Sequence, residues 1–161
     1  MAEIKFLCDF MLGKLAKYLR MLGFDTKYEK ETNKVKMEFV AKTENRIIIT
    51  RNSSYKEKEN CLFLNTDNPK EQLLIILNKL NLYDKIKLAS RCLLCNEVVK
   101  KIEKKDVKGK VPYYVYQTKN EFSYCPICQR IYWAGTHYKN MEEFLEKIKN
   151  AGGRSRTGTD F

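Results

Sequence analysis

From the amino terminus, apolar and polar positions alternate between two periods. The run "IKFLCD" at 4–9 is short, apolar and closed by an acid, which predicts a buried strand. Over 11–23 the period lengthens: Leu12, Leu15, Ala16, Leu19 and Leu22 recur at helical spacing, Lys14, Lys17 and Arg20 fall between them, and Gly23 marks a C-terminal stop. "FDTKYEK" supplies a second strand, and Val35, Phe39 and Val40 mark a second helix that Thr32 or Asn33 caps. "RIIIT" at 46–50 and "CLFLN" at 61–65 read as β-branched and apolar strands. "NPKEQLLIILNKLNLYD" at 68–84 reads as a helix with Pro69 in its first turn. Strands and helices in alternation predict βαβ units, a parallel sheet and helices on both faces, an α/β fold.

Beyond about residue 88 the pattern breaks. Short aromatic segments replace the helical periods until "MEEFLEKIKNA" at 141–151, and two CxxC pairs appear, Cys92 with Cys95 and Cys125 with Cys128, with 29 residues between the pairs. Two such pairs let four thiolates close tetrahedrally on zinc, so a small β-rich zinc ribbon is expected, its metal structural. A thioredoxin-type redox turn would open a helix and would need no twin. Cys8 and Cys61 lie in apolar strand segments and read as small core residues. These contrasts divide the chain into an α/β domain at 1–87, a zinc ribbon with a C-terminal helix at 88–150, and a tail at 151–161. The tail's "AGGRSRTGTDF" departs in style from the rest and reads as disordered.

Charge sharpens the picture. The 161 residues carry 31 basic and 20 acidic side chains, a net +11. Residues 1–84 contribute 15 basic and 12 acidic groups, and residues 85–161 contribute 16 and 8. A basic second half favours a polyanion through steering and counterion release, although a solvated lysine-rich surface gives the same count. Tyr113, Tyr114, Tyr116, Tyr124, Tyr132, Trp133 and Tyr138 interleave with Lys, Arg and Gln, as a single-stranded RNA platform requires and as a small core also requires. Arg51, Arg91, Arg130, Tyr132, Trp133 and His137 are the candidate RNA contacts. No apolar run reaches the roughly 20 residues of a membrane span. The start "MAEIKFLCDF" lacks the pattern of a secretory signal, so a cytoplasmic protein is expected.

Asp9 ends the first predicted strand, Asn52 follows the third and Asp67 follows the fourth. In a parallel sheet such ends share the rim where open α/β sheets bind ligands. Carboxylates converging there call for a hard divalent cation such as magnesium or manganese, which activates water for attack on a phosphodiester. Asp and Asn after strands are also ordinary turn formers and helix caps.

The stretches "KFLCDFMLGKLAKYLRMLGFDT", "RIIITRN", "DNPKEQL", "SRCLLCN", "VPYYVY" and "EFSYCPICQRIYWAGTHY" resemble the Mut-seven C-terminal RNase domain family, from about Lys5 to Met141. The resemblance implies a PIN-like nuclease fold followed by a zinc ribbon, and a metal-dependent ribonuclease acting on RNA. It assigns catalytic acids to Asp9, Asp25 and Asp67 and zinc ligands to Cys92, Cys95, Cys125 and Cys128. The family usually carries "TRD" where this chain reads "TRN", so Asn52 puts a neutral amide in place of a carboxylate. Two functional readings follow: a magnesium- or manganese-dependent ribonuclease, or a catalytically impaired RNA-binding protein built on the same scaffold.

Overall fold

The computed structural model describes residues 3–31 and 33–154, with side chains described as far as residue 150. The chain divides into two compact units, residues 1–96 and 97–161.

The first unit holds four strands, β1 (Lys5–Cys8), β2 (Asp25–Tyr28), β3 (Ile47–Thr50) and β4 (Cys61–Phe63), and three helices, α1 (Gly13–Met21), α2 (Lys34–Glu44) and α3 (Pro69–Lys79). All strand pairs are parallel, in the order β2-β1-β3-β4. This is the α/β architecture that the alternating periods predict, a parallel sheet flanked by helices. Residues alternate across it: Leu7 and Ile48 pack with Met37, Ala41 and Tyr55, while Phe6, Cys8 and Ile49 turn to the other face. α1 and α3 pack on one another, and Leu15 and Leu19 of the first and Leu73 and Leu77 of the second are fully buried. Full burial of each such side chain stabilises the fold by about 1.5–3 kcal/mol.

The buried stripe of α2 differs from the one expected. Met37 and Ala41 are buried and Val40 is partly so, whereas Val35 and Phe39 are 78% and 68% exposed. Positions 37 and 41 lie one turn apart with 40 between them, and that set meets Leu7 and Ile48, so Val35 and Phe39 fall outside it.

Local chemistry fixes the helix ends. Asn33 caps α2 by accepting from Lys36 N–H, and Asn68 caps α3 by accepting from Lys70 and Glu71 N–H ahead of Pro69. Thr32, the other expected cap, lies outside the described residues. At the end of α1, Gly23 N–H bonds to Arg20 O and Phe24 N–H to Leu19 O, with Gly23 at φ +94°. α3 ends in the same way at Asn81, φ 52°, whose N–H bonds to Asn78 O while Leu82 N–H bonds to Leu77 O.

The second unit contains β5 (Lys100–Ile102), β6 (Phe122–Tyr124) and β7 (Ile131–Tyr132) in an antiparallel sheet ordered β5-β6-β7, with α4 (Tyr113–Thr118) and α5 (Thr136–Arg154). Its core is small: Val107, Val115 and Phe122, with Ile102, Val111, Tyr116, Ile131 and Trp133 packed around them. Within this β-rich ribbon, "YYVYQT" is helical in spite of its aromatic composition. The carbonyl of Pro112 accepts from both Val115 and Tyr116 N–H, which starts a helical turn and buries Val115 while Tyr113 and Tyr114 face outward. The tail expected at 151–161 falls largely outside the described residues, 155–161 among them, and α5 continues to Arg154. No helix among the described residues is long and apolar enough to cross a membrane.

Candidate active site

β1 and β3 run side by side with Cys8 paired to Ile49, so the next residues, Asp9 and Thr50, emerge together at the carboxyl rim. Asp9 N–H bonds to Ile49 O, and each oxygen of the Asp9 side chain accepts one local bond: Oδ1 from Met11 N–H at 3.0 Å and Oδ2 from the Thr50 hydroxyl. Thr50 Oγ1 in turn accepts from Asn52 N–H at 2.9 Å. One hydroxyl therefore ties the acid at the end of β1 to the turn after β3. Among the described residues the buried polar side chains are Asp9, Thr26, Thr50 and Gln72, and Asp9 is the one carboxylate. At 6% exposure it keeps company with hydrogen-bond donors, as a buried carboxylate must.

Asn52 is exposed and caps the turn that follows β3, its Oδ1 accepting from Ser54 N–H at 3.0 Å. Asp67, also exposed, lies four residues beyond β4 and lines a cleft of about 240 Å³ with Met11, Lys14, Arg51 and Gln72. Met11 belongs to the turn that Asp9 caps, which brings the Asp9 segment to this cleft. Arg51 gives one weak contact to Asn65 O at 3.4 Å, while its buried Nε has no hydrogen-bond partner. The cleft thus carries two cations, Lys14 and Arg51, and an exposed acid.

Asp25 does not join this group. It opens β2 instead of closing it, and pairs with Lys5 at the amino rim, about 13 Å along the strands from the level of Asp9. There it meets Arg46 Nη1 at 2.8 Å and Asn96 Nδ2 at 2.6 Å. Burial by itself would raise its pKa, but the hydrogen bonds from Arg46 and Asn96 outweigh it and hold the carboxyl below the usual range. Arg46 also binds Glu44 Oε1 and Phe6 O, so the amino rim is a closed network of opposite charges. The geometry gives Asp25 a bracing role, apart from the rim where Asp9, Asn52 and Asp67 lie.

The same network holds the first CxxC pair. β2 is an edge strand, and the free backbone groups of Thr26 are covered: Asn96 Oδ1 accepts from Thr26 N–H, and Arg20 Nε donates to Thr26 O. Arg20 also donates to Leu93 O, and Arg91 donates to Gly23 O and Asn96 O and pairs with Glu3. Arg91, expected to face RNA, is therefore consumed in fastening this turn. Arg130 and His137 are exposed, Tyr132 is buried, and Trp133 is partly buried and packs on the core of the second unit.

The two CxxC turns are built alike. Cys95 N–H points to Cys92 Sγ at 3.3 Å and Cys128 N–H to Cys125 Sγ at 3.5 Å. Asn96 N–H bonds to Cys92 O and Gln129 N–H to Cys125 O, each 2.9 Å. Asn96 and Gln129 both take φ 66°, the left-handed turn that closes each knuckle. The four sulfurs lie within 4.8 Å of one another. Tetrahedral zinc at about 2.3 Å from each thiolate needs sulfurs about 3.8 Å apart, so this all-sulfur donor set can hold a zinc ion. Among the described residues no comparable group of three carboxylate or imidazole ligands converges.

Sequence reasoning missed Thr50, Lys14, Arg20 and Asn96. Thr50 had a signal, a hydroxyl closing an otherwise apolar run, whereas the other three matter only through partners distant in the chain. No curated protein and no solved structure matches this chain significantly. A family model does, that of the Mut7-C RNAse domain, over residues 4–145. With the parallel sheet, the acid buried at its carboxyl rim and the paired cysteine knuckles all inside the matched span, the chain belongs to the Mut7-C RNase domain family.

Proposed function

We propose that the protein is a metal-dependent ribonuclease that hydrolyses RNA phosphodiester bonds at the carboxyl rim of its parallel sheet. Asp9 carries this reading: a carboxylate buried at the end of a central strand, its position set by Thr50 and by Met11 N–H, is costly to bury and calls for a function. Asp9, Asn52 and Asp67 offer oxygen donors only, a set that fits a hard divalent cation. Bound there, magnesium or manganese would supply water activation and neutralisation of charge on the scissile phosphate. The chain's own groups have separate tasks. Lys14 and Arg51 bind phosphate oxygens in the cleft beside Asp67, Thr50 orients the Asp9 carboxylate, and the zinc-held second unit adds basic surface for single-stranded RNA.

Asn52 favours a second reading, an RNA-binding protein with a weakened centre. An amide brings no formal charge, and its oxygen already caps Ser54 N–H. One experiment separates the two: incubation of the zinc-loaded protein and its Asn52→Asp variant with mixed RNAs, with and without manganese. Cleavage by the wild type supports the nuclease. Intact RNA with the wild type and cleavage by the variant supports the weakened centre, and intact RNA with both, despite binding, refutes the enzyme.

A further inference from the structure

We infer that the second unit carries a stacking site for an unpaired RNA base, formed by Tyr113 and flanked by Lys104 and Lys108. The site rests on the reading of the protein as an RNA binder, and its residues belong to the second unit, whereas Asp9 and Thr50 belong to the first. A cleft of about 590 Å³ opens between α4 and the turn around Gly109, lined by Lys104, Lys108, Val111, Tyr113, Tyr116 and Gln117. Its volume is in the range of small-ligand sites.

Three observations identify its occupant. Tyr113 is 74% exposed on a helix whose inward residue is Val115, so packing does not account for its ring. The ring is nonetheless tethered at its tip, where Gln117 Nε2 donates to the Tyr113 hydroxyl at 2.5 Å. A tethered, exposed aromatic face is what a base needs and loses little entropy when it is covered. The cations are placed to match. Lys104 Nζ sits 5.1 Å from the Tyr116 ring centroid with Asn120 Oδ1 at 3.3 Å, and Lys108 lines the same cleft. Residues 100–119 hold seven lysines and two acids, a net +5, and the ion pair found among them is Lys105 with Glu103. An apolar protein partner would meet a lining of lysines and phenols, whereas a strand of alternating bases and phosphates meets a ring and two ammonium groups. The geometry specifies no hydrogen-bond readout of the base, so the site accepts every base.

The test is binding of fluorescein-labelled oligouridine to the full chain by fluorescence anisotropy, without added magnesium or manganese, across a salt series. Tyr113→Ala weakens binding about 5- to 150-fold, and Tyr113→Trp restores it. Tyr114→Ala, a change at a 69% exposed ring outside the cleft, leaves affinity unchanged. Lys104→Ala and Lys108→Ala each lower the slope of log K against log salt by about 0.7. An abasic ribose-phosphate oligomer binds wild type and Tyr113→Ala equally. Tyr113→Ala binding oligouridine as tightly as wild type overturns the inference, and so does a wild type that ignores RNA at low salt, an outcome that would give the cleft to a protein. Wild type and Asp9→Asn are assayed separately for cleavage with manganese added. Tyr113-dependent binding with no cleavage by any form sinks the nuclease and leaves this site standing, whereas cleavage with Tyr113-independent binding does the reverse.

Discussion

Replacing Thr50 by Val removes one hydroxyl and keeps the β-branched shape. Thr50 is fully buried, so the cavity is unchanged and the loss is confined to two hydrogen bonds, one donated to Asp9 Oδ2 and one accepted from Asn52 N–H. A bond to a carboxylate is worth about 1.5–3 kcal/mol and a neutral one about 0.5–1.5 kcal/mol. The sum is roughly 2–4 kcal/mol. In urea, with m at about 2 kcal/mol/M, the unfolding midpoint should fall by about 1–2 M with the slope unchanged. Thr50→Ser keeps both bonds and gives up a methyl, a cost of about 1 kcal/mol. A cycle with Asp9→Asn should return a coupling of about 1–3 kcal/mol, since the two side chains touch. Thr50→Val as stable as wild type, or Thr50→Ser as damaging as Thr50→Val, would refute the claim that this hydroxyl sets the Asp9 carboxylate.

Three further outcomes follow from the fold. Gly23→Ala should cost about 2–4 kcal/mol in chemical denaturation, because a Cβ there would lie 2.5 Å from Lys87 O and 2.6 Å from Ser90 Oγ on a backbone at φ +94°. Asp25, whose folded pKa is depressed, contributes stability that is present above its unfolded pKa of about 3.9 and is lost as pH falls through the folded value. Asp25→Asn should therefore lower stability at neutral pH and flatten the acid limb of the stability profile below about pH 4. A variant with an unchanged acid limb would contradict the bracing role. Metal analysis should find one zinc per chain, and chelation should abolish the near-ultraviolet signal of Trp133, because a core as small as Val107, Val115 and Phe122 needs the cross-link. A chelated protein with an unaltered spectrum would show that the sulfurs are not needed.

Much of the first unit was legible because its elements are defined by short-range periodicity. "RIIIT" and the leucine stripe of α1 leave few alternatives, and Asn33, Gly23 and Pro69 mark helix ends by local chemistry. The register of α2 was not legible. Val35 and Phe39 are as apolar as Met37 and Ala41, and the choice between the two sets was made by Leu7 and Ile48 across the sheet. The rim on which Asp25 lies is not readable from a resemblance, which transfers a residue without the direction of its strand: Asp25 stands at the start of β2, and starts and ends of parallel strands lie on opposite rims. Arg91 looks from sequence like any basic contact, and its partners Gly23 and Glu3 lie 68 and 88 residues away. "YYVYQT" shows the limit of β propensity, since aromatic residues accept a helix once one apolar side chain, Val115, is enough to anchor it.

The central claim is that Asp9, held at the carboxyl rim, does chemistry on RNA. Its most direct test is single-turnover cleavage of labelled RNA with manganese by wild type and Asp9→Asn, both shown to be folded and zinc-loaded. The account predicts metal-dependent products from the wild type and a loss of at least about a hundredfold in the variant. Equal cleavage by the two proteins would contradict it.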